Sequence, residues 1–267
     1  MIKKTFKFAS ELESEGLMYE SVKALLIENN ITGKLRGDIL LTVSEGFTNA
    51  LTHGNNYEKN KSIEIDIGLN NDVVTADIID EGDGDSHLLN SRKPPGLLQE
   101  GGRGVDLMES IADQFQVSKN SRTGGMQISM VFERNRYKND DDDNKCNSEA
   151  IMELSRKDHE NVTIISLSGR LDLGTGGKLK EEVKKVLESG KTSIHLNLVN
   201  VEFVNSSGLG ALVSIMKEIR IYRGRLTLSD LEDYVQEIFD ITQLSHIFEI
   251  FTTEEEALKS YQPVETG

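Results

Sequence analysis

Tryptophan is absent, cysteine occurs once, and no stretch approaches the roughly 18–20 consecutive apolar residues of a membrane-spanning helix. Without tryptophan, the cores have to be aliphatic, built from Leu, Ile and Val with a few Phe. The one cysteine, Cys146, lies in a polar, acidic stretch, so neither a disulfide scaffold nor a zinc site can be built from it. The opening MIKKTFKFASELESEG has no apolar signal core. These absences predict a soluble, cytoplasmic protein that does not enter a membrane. Basic charge is also in deficit: 30 Lys and Arg face 45 Asp and Glu, a net charge of −15. Direct nucleic-acid binding needs a basic footprint and is excluded as an expectation. The acidic excess serves solubility.

The 267 residues exceed the usual size of one domain, so two are expected. Residues 3–8 alternate in polarity and read as a strand. The periodicity predicts helices over 11–29 and 34–52, the second with Leu35, Ile39, Leu40, Val43 and Phe47 on its apolar face and Gly54 at its stop. Strands are expected over 63–69 and 73–79 around the turn Asn70-Asn71-Asp72. Residues 81–104 are rich in Gly, Asp, Ser and Pro and carry little periodicity, which makes them functional or disordered. Then follow a helix over 105–115 and strands over 115–120 and 126–132. The run that starts at Arg136 and continues through four aspartates to Ser148 reads as a solvated linker. The domains are therefore 1–136 and 150–267, joined by an acidic linker over 137–149. Beyond it, strands at 151–158, 162–167, 193–198, 225–228 and 248–251 alternate with helices at 177–188, 207–221, 231–241 and 254–261. That alternation predicts an α/β layer fold.

Three polar tracts stand out in the first half. Glu45 and Asn49 are four residues apart and share a helix face. They form either a solvated polar face or a cleft in which Asn49 holds Mg2+ on nucleotide phosphates and Glu45 accepts a hydroxyl proton. Asp80-Glu-Gly82-Asp-Gly84 follows a strand directly. It is either an ordinary turn or a site where Asp80 accepts from an adenine amino group and the glycines admit a flat ring. Gly101-Gly102-Arg103-Gly104 opens a helix whose N-terminal N–H groups can receive phosphate.

In this order, the three tracts resemble the GHKL ATPase superfamily, over about residues 3–134. The resemblance implies an α/β sandwich that binds ATP and Mg2+. It places Glu45 (catalytic) and Asn49 (ATP and metal) in the N box, and Asp80, Gly82 and Gly84 in the first glycine box. Gly102, Arg103 and Gly104 fall in the second, and Thr123-Gly-Gly-Met126 matches the third, with Met126 where the family often has Thr. No His precedes the N-box helix, so a histidine-kinase phosphoacceptor is missing. The tract SEGFTNALTHGNN is similar to anti-sigma serine kinases, which bind a sigma factor, phosphorylate an antagonist and form dimers through this domain.

In the second half the tract Val201-Glu-Phe-Val-Asn205-Ser206-Ser207-Gly208-Leu209-Gly210 follows a strand and leads into an apolar helix. Ser206 is either a helix cap or a phosphoacceptor. Residues 150–261 resemble the STAS domain of anti-sigma factor antagonists, which implies that Ser206 is the phosphorylated serine and that Ser168-Gly-Arg-Leu-Asp172 is the family's Gly-x-Leu-Asp element. Asn205 stands where that family usually has Asp. His195 reads as structural, His159 and His246 as isolated, and the methionines as core filler.

The resemblances together imply a bacterial partner-switching regulator: an ATP-dependent serine protein kinase and anti-sigma module joined to its own antagonist-type substrate. A tether of about 20 residues gives an effective concentration near millimolar for kinase–STAS contact within one chain. Three alternatives stay open: a non-catalytic nucleotide-sensing scaffold, a kinase acting on a separate antagonist protein, and a client other than a sigma factor.

Overall fold

The computed structural model describes residues 2–83, 96, 98, 102–137 and 153–262. They form two compact units, one of residues 2–83 and 102–137 and one of residues 153–262. No described helix is long and apolar enough to cross a membrane.

The first unit is one antiparallel sheet covered by helices. Its strands are β1 (Ile2–Ala9), β2 (Ser62–Leu69), β3 (Val73–Ile79), β4 (Gln114–Lys119) and β5 (Met126–Glu133), in the order β1-β2-β3-β5-β4. The expected hairpin between β2 and β3 forms because Asn70 folds back on itself. Its Oδ1 accepts from Asp72 N–H (2.8 Å) and Val73 N–H (2.7 Å). Helices α1 (Ser14–Glu28), α2 (Gly33–Asn49) and α3 (Gly104–Ile111) supply the other layer. The spacing of Leu35, Ile39, Leu40, Val43 and Phe47 suggested one apolar stripe, but α2 is buried almost all round. It packs against α1, α3, β3 and β5 at once, so even Asp38, Thr42 and Ser44 lie inside.

Three of the first unit's differences from expectation have a structural cause. The second helix stops at Asn49 and continues as a π-turn, Ala50–Gly54, closed by Asn55 N–H donating to Ala50 C=O (2.7 Å). α3 ends at Ile111 rather than Phe115, because Asp113 N–H is taken by the Val131 carbonyl and the chain enters β4. Arg136 and Tyr137, expected at the edge of the linker, belong to a 3-10 turn (Arg134–Tyr137) packed on the domain. Tyr137 is buried and its hydroxyl donates to Asp38 Oδ2 (2.9 Å). A phenol supplies the apolar ring that the rest of that charged run lacks.

The second unit carries β6 (Glu153–His159), β7 (Val162–Leu171), β8 (Ser193–Val204), β9 (Arg225–Ser229) and β10 (Glu249–Phe251), ordered β10-β9-β8-β7-β6. β6 is antiparallel to β7 and the rest are parallel. The helices are α4 (Leu173–Glu188), α5 (Ser206–Ile221), α6 (Asp233–Ile241) and α7 (Glu254–Lys259). α4 begins four residues before the expected Gly177, because Asp172 and Thr175 form a reciprocal capping box. Gly176 belongs to that first turn because α5 lies against it: a Cβ there would come within 2.8 Å of Ala211 Cβ. His195 is fully buried, with Nδ1 2.8 Å from Thr227 Oγ1 and Nε2 2.9 Å from Ser229 Oγ. The structural reading of that residue holds.

Candidate functional site

The three polar tracts of the first unit meet around Asp80. This aspartate follows the last residue of β3 and is 5% exposed. Oδ1 accepts from Gly82 N–H (2.9 Å) and Met126 N–H (3.0 Å), and among the described residues both hydrogen bonds of the carboxylate use that one oxygen. Burial pushes the carboxyl above its ordinary 3.8, against the pull of the Met126 and Gly82 N–H groups and the Lys61 charge. Three glycines make the enclosure. A Cβ at Gly54 or Gly125 would overlap Asp80, and one at Gly82 would overlap the Gly54 carbonyl. The end of the π-turn, the end of β3 and the start of β5 therefore close on one carboxylate.

Glu45 and Asn49 stand on the last turns of α2, just before that π-turn; single π-turns of this kind recur at functional sites. Glu45 is buried. The Asn49 amide nitrogen is buried and has no hydrogen-bond partner among the described residues. A buried donor left unmade costs about 1–3 kcal/mol, so it is kept where something else completes it. The polar face expected from spacing is thus an interior face, and a solvated surface no longer explains it.

Gly102 takes φ +91°, a conformation that favours glycine, and turns the chain into α3. Arg103 at the N-cap is buried, gives that helix no side-chain cap, and has its guanidinium pKa lowered by burial against the opposing pull of Asp106. A desolvated cation at a helix start suits an anionic ligand. Thr123 reaches the site through Gly125. Its hydroxyl accepts from Gly125 N–H (3.2 Å), and its own N–H donates to Asn120 Oδ1 (3.1 Å). Met126 contributes its backbone N–H to Asp80 where a threonine side chain was expected to matter. Gly84, expected in the first glycine box, lies outside the described residues.

Asn55 was missed from sequence. It is fully buried, donates from Nδ2 to Ser62 C=O (3.0 Å) and accepts at Oδ1 from Glu81 N–H (2.8 Å). An asparagine just past a helix stop looks like any turn residue, and only the fold reveals the two strand ends it joins.

In the second unit the helix cap is Asn205, not Ser206. Asn205 Oδ1 accepts from Gly208 N–H (3.0 Å) and its N–H donates to Leu171 C=O (3.2 Å). Ser206 is the first residue of α5 and is half-buried. Gly208 lies so close to Leu171 that a Cβ would overlap the Leu171 carbonyl. Beside this loop Arg170 pairs with Asp172 (2.9 Å) at the end of β7, past a register shift at Gly169. The Ser168–Asp172 tract thus serves as the seat for the Asn205–Gly208 loop.

Known proteins divide along the same line. Residues 8–132 match the histidine kinase-like ATPase domain model, and residues 153–257 match the STAS domain model. An anti-sigma-B factor antagonist of Listeria monocytogenes is 30% identical over 105 residues, 39% of this chain and 91% of that protein. An anti-sigma F factor of Clostridium perfringens is 29% identical over 126 residues, 46% of this chain and 90% of that one. A solved anti-sigma factor antagonist from Mycobacterium paratuberculosis is 22% identical with a TM-score of 0.40, covering 43% of this chain and 97% of that one. An ATPase domain of this type implies ATP binding. The chain belongs to the anti-sigma factor antagonist family through its STAS domain, and it carries a histidine kinase-like ATPase domain in the same polypeptide.

Proposed function

We propose that the chain is a cytoplasmic partner-switching regulator whose first unit is an ATP-dependent serine protein kinase and anti-sigma module and whose second unit is its antagonist-type substrate, with Ser206 the phosphoacceptor. The observation that carries the reading is the pairing, in one chain, of an incomplete interior site with a serine at the first position of a helix that begins after a parallel strand. Among the described residues of the first unit the Asn49 amide nitrogen has no hydrogen-bond partner, and both hydrogen bonds of the Asp80 carboxylate use one of its oxygens. In the second, Asn205 caps α5 in place of Ser206.

ATP, when bound, supplies the phosphoryl group for transfer. Asp80 accepts from the base amino group at one end of the site. At the other, the Asn49 side-chain oxygen would hold Mg2+ while its buried amide N–H would donate to a phosphate oxygen, and the N–H groups after Gly102, with Arg103, would hold further phosphate oxygens. Glu45 takes the hydroxyl proton of the attacking serine. Residues 138–149 act as the tether, and the first unit forms the dimer and grips the sigma factor or another client.

The test is intact-mass and peptide mapping after incubation with magnesium-ATP. Phosphate is expected on Ser206, absent in Ser206→Ala, with the rate in Glu45→Gln lower by about 10²–10⁴-fold while ATP binding persists. ATP bound with no phosphate on any residue would reject the self-directed kinase and favour a nucleotide-sensing scaffold or a separate antagonist as substrate. A dilution series distinguishes transfer within a chain from transfer between chains.

A further inference from the structure

Asn55 belongs to none of the glycine boxes, yet it holds two of the site's walls together. Its backbone N–H closes the π-turn on Ala50 C=O (2.7 Å), and its side-chain amide bonds the first residue of β2 and the residue after Asp80. Gly54, its neighbour, lies against the Asp80 carboxylate, and Gly82 lies against the Gly54 carbonyl. Glu81 completes the brace by accepting from Ser62 Oγ (2.7 Å) and Ser62 N–H (3.2 Å). The segment that carries Asp80 is thereby registered on the helix that carries Glu45 and Asn49.

The chemistry at position 55 demands an amide. One side-chain atom must donate to a carbonyl while the other accepts from an N–H, in a place with no access to water. Aspartate has the same shape but would set an acceptor against the Ser62 carbonyl. Alanine would leave both backbone groups unmade. A residue that served only to close the π-turn would need its backbone N–H alone, and Asn55 adds two side-chain bonds, one to the start of β2 and one just past the end of β3.

We propose that Asn55 is a positioning residue for base selectivity: it fixes the Asp80–Gly82 strand end against the α2 π-turn, so that the Asp80 carboxylate meets the 6-amino group of a purine nucleotide in register with Asn49 at the phosphate end. This rests on the reading of the first unit as an ATP site. Selectivity of this kind comes from a buried polar group that the wrong base leaves unpaired, so it depends on holding the reading group still.

The experiment measures the dissociation constants of magnesium-ATP and magnesium-inosine triphosphate, which presents a carbonyl where ATP has the amino group, on the full chain and on Asn55→Ala, Asn55→Asp and Ser62→Ala. The unaltered chain is expected to prefer ATP by about tenfold or more. In Asn55→Ala and Asn55→Asp the ATP affinity falls toward that of inosine triphosphate, which itself changes little, so the ratio collapses toward one. Ser62→Ala, which loosens only the Glu81 side of the brace, lowers the ratio part of the way. Equal weakening of both nucleotides, with the ratio kept, would make Asn55 a general structural residue and overturn the proposal while leaving the ATP site intact. No ATP preference in the unaltered chain would overturn the reading of Asp80 itself. Should the Asn55 variants lose cooperative unfolding, the ratio in Ser62→Ala decides.

Discussion

The Asp80 site of the first unit and the His195 and Asn205 positions of the second treat buried polar groups in opposite ways. In the first, Asp80 is driven above its ordinary pKa by burial, and the Asn49 amide nitrogen lacks a partner among the described residues. In the second, His195 has both ring nitrogens against hydroxyls, and Asn205 uses both its backbone N–H and its side chain. A site that a ligand must complete is left incomplete by its own protein and carries a stability cost. His195 and Asn205, which are proposed to meet no ligand, are satisfied within their own unit. The same contrast appears at two helix starts: Arg103 gives α3 no side-chain cap, whereas Asn205 caps α5.

The largest expected effect opposes the units in pH. Burial pushes His195 from 6.5 down to about 4, with Glu254 and Asp230 pulling upward and Lys157 pushing further down. A depressed folded pKa contributes stability that is fully present above 6.5 and is lost as pH falls toward the folded value. At pH 4 the second unit is therefore expected to have lost about 3 kcal/mol from this group alone. Denaturant unfolding of the chain between pH 7 and pH 4, with His195→Gln alongside, checks it. A variant that keeps the full acid slope would assign that slope elsewhere and weaken the contrast.

Asp80 has the reverse sign. A raised folded pKa contributes stability that is present below 3.8 and lost as pH rises through the folded value, so at neutral pH the charged group is a liability to the fold. Asp80→Asn is expected to weaken ATP binding by about 10–100-fold while thermal stability at pH 7 does not fall. Calorimetric binding and melting on the same samples test both halves. A large loss of stability with the loss of binding would mean that Asp80 serves the fold first.

How much of this was legible beforehand follows from which interactions are local. The turn at Asn70 could be read because the side chain that makes it is in the turn. The N-box pair could be read because four residues separate partners on one helix. The start of α4 was missed because Gly174, Gly176 and Gly177 lower helix propensity, and neither the Asp172–Thr175 box nor the packing of Gly176 on Ala211 enters a propensity. The all-round burial of α2 was missed because periodicity reports one covered face and cannot see a second layer. Asn55 and Tyr137 were missed because their partners, Ser62, Glu81 and Asp38, are set by the sheet and the helix layer rather than by neighbours in the chain.

The smallest effect bears on the departure at Asn205. Since its Oδ1 caps α5 through Gly208, Asn205→Ala should cost the second unit about 1 kcal/mol. Asn205→Asp keeps an acceptor at the same place and adds a negative charge that the helix start favours by about 0.3–1 kcal/mol and that full burial opposes. The two variants therefore separate capping from charge. If Asn205→Asp raises the phosphorylation rate of Ser206 while urea unfolding changes by less than that small amount, the carboxylate usual in the related antagonists serves the kinase and not the helix. If the rate is unchanged, the loop needs only the cap, and asparagine supplies it without setting a second carboxylate beside the Arg170–Asp172 pair, where an incoming phosphate would be repelled.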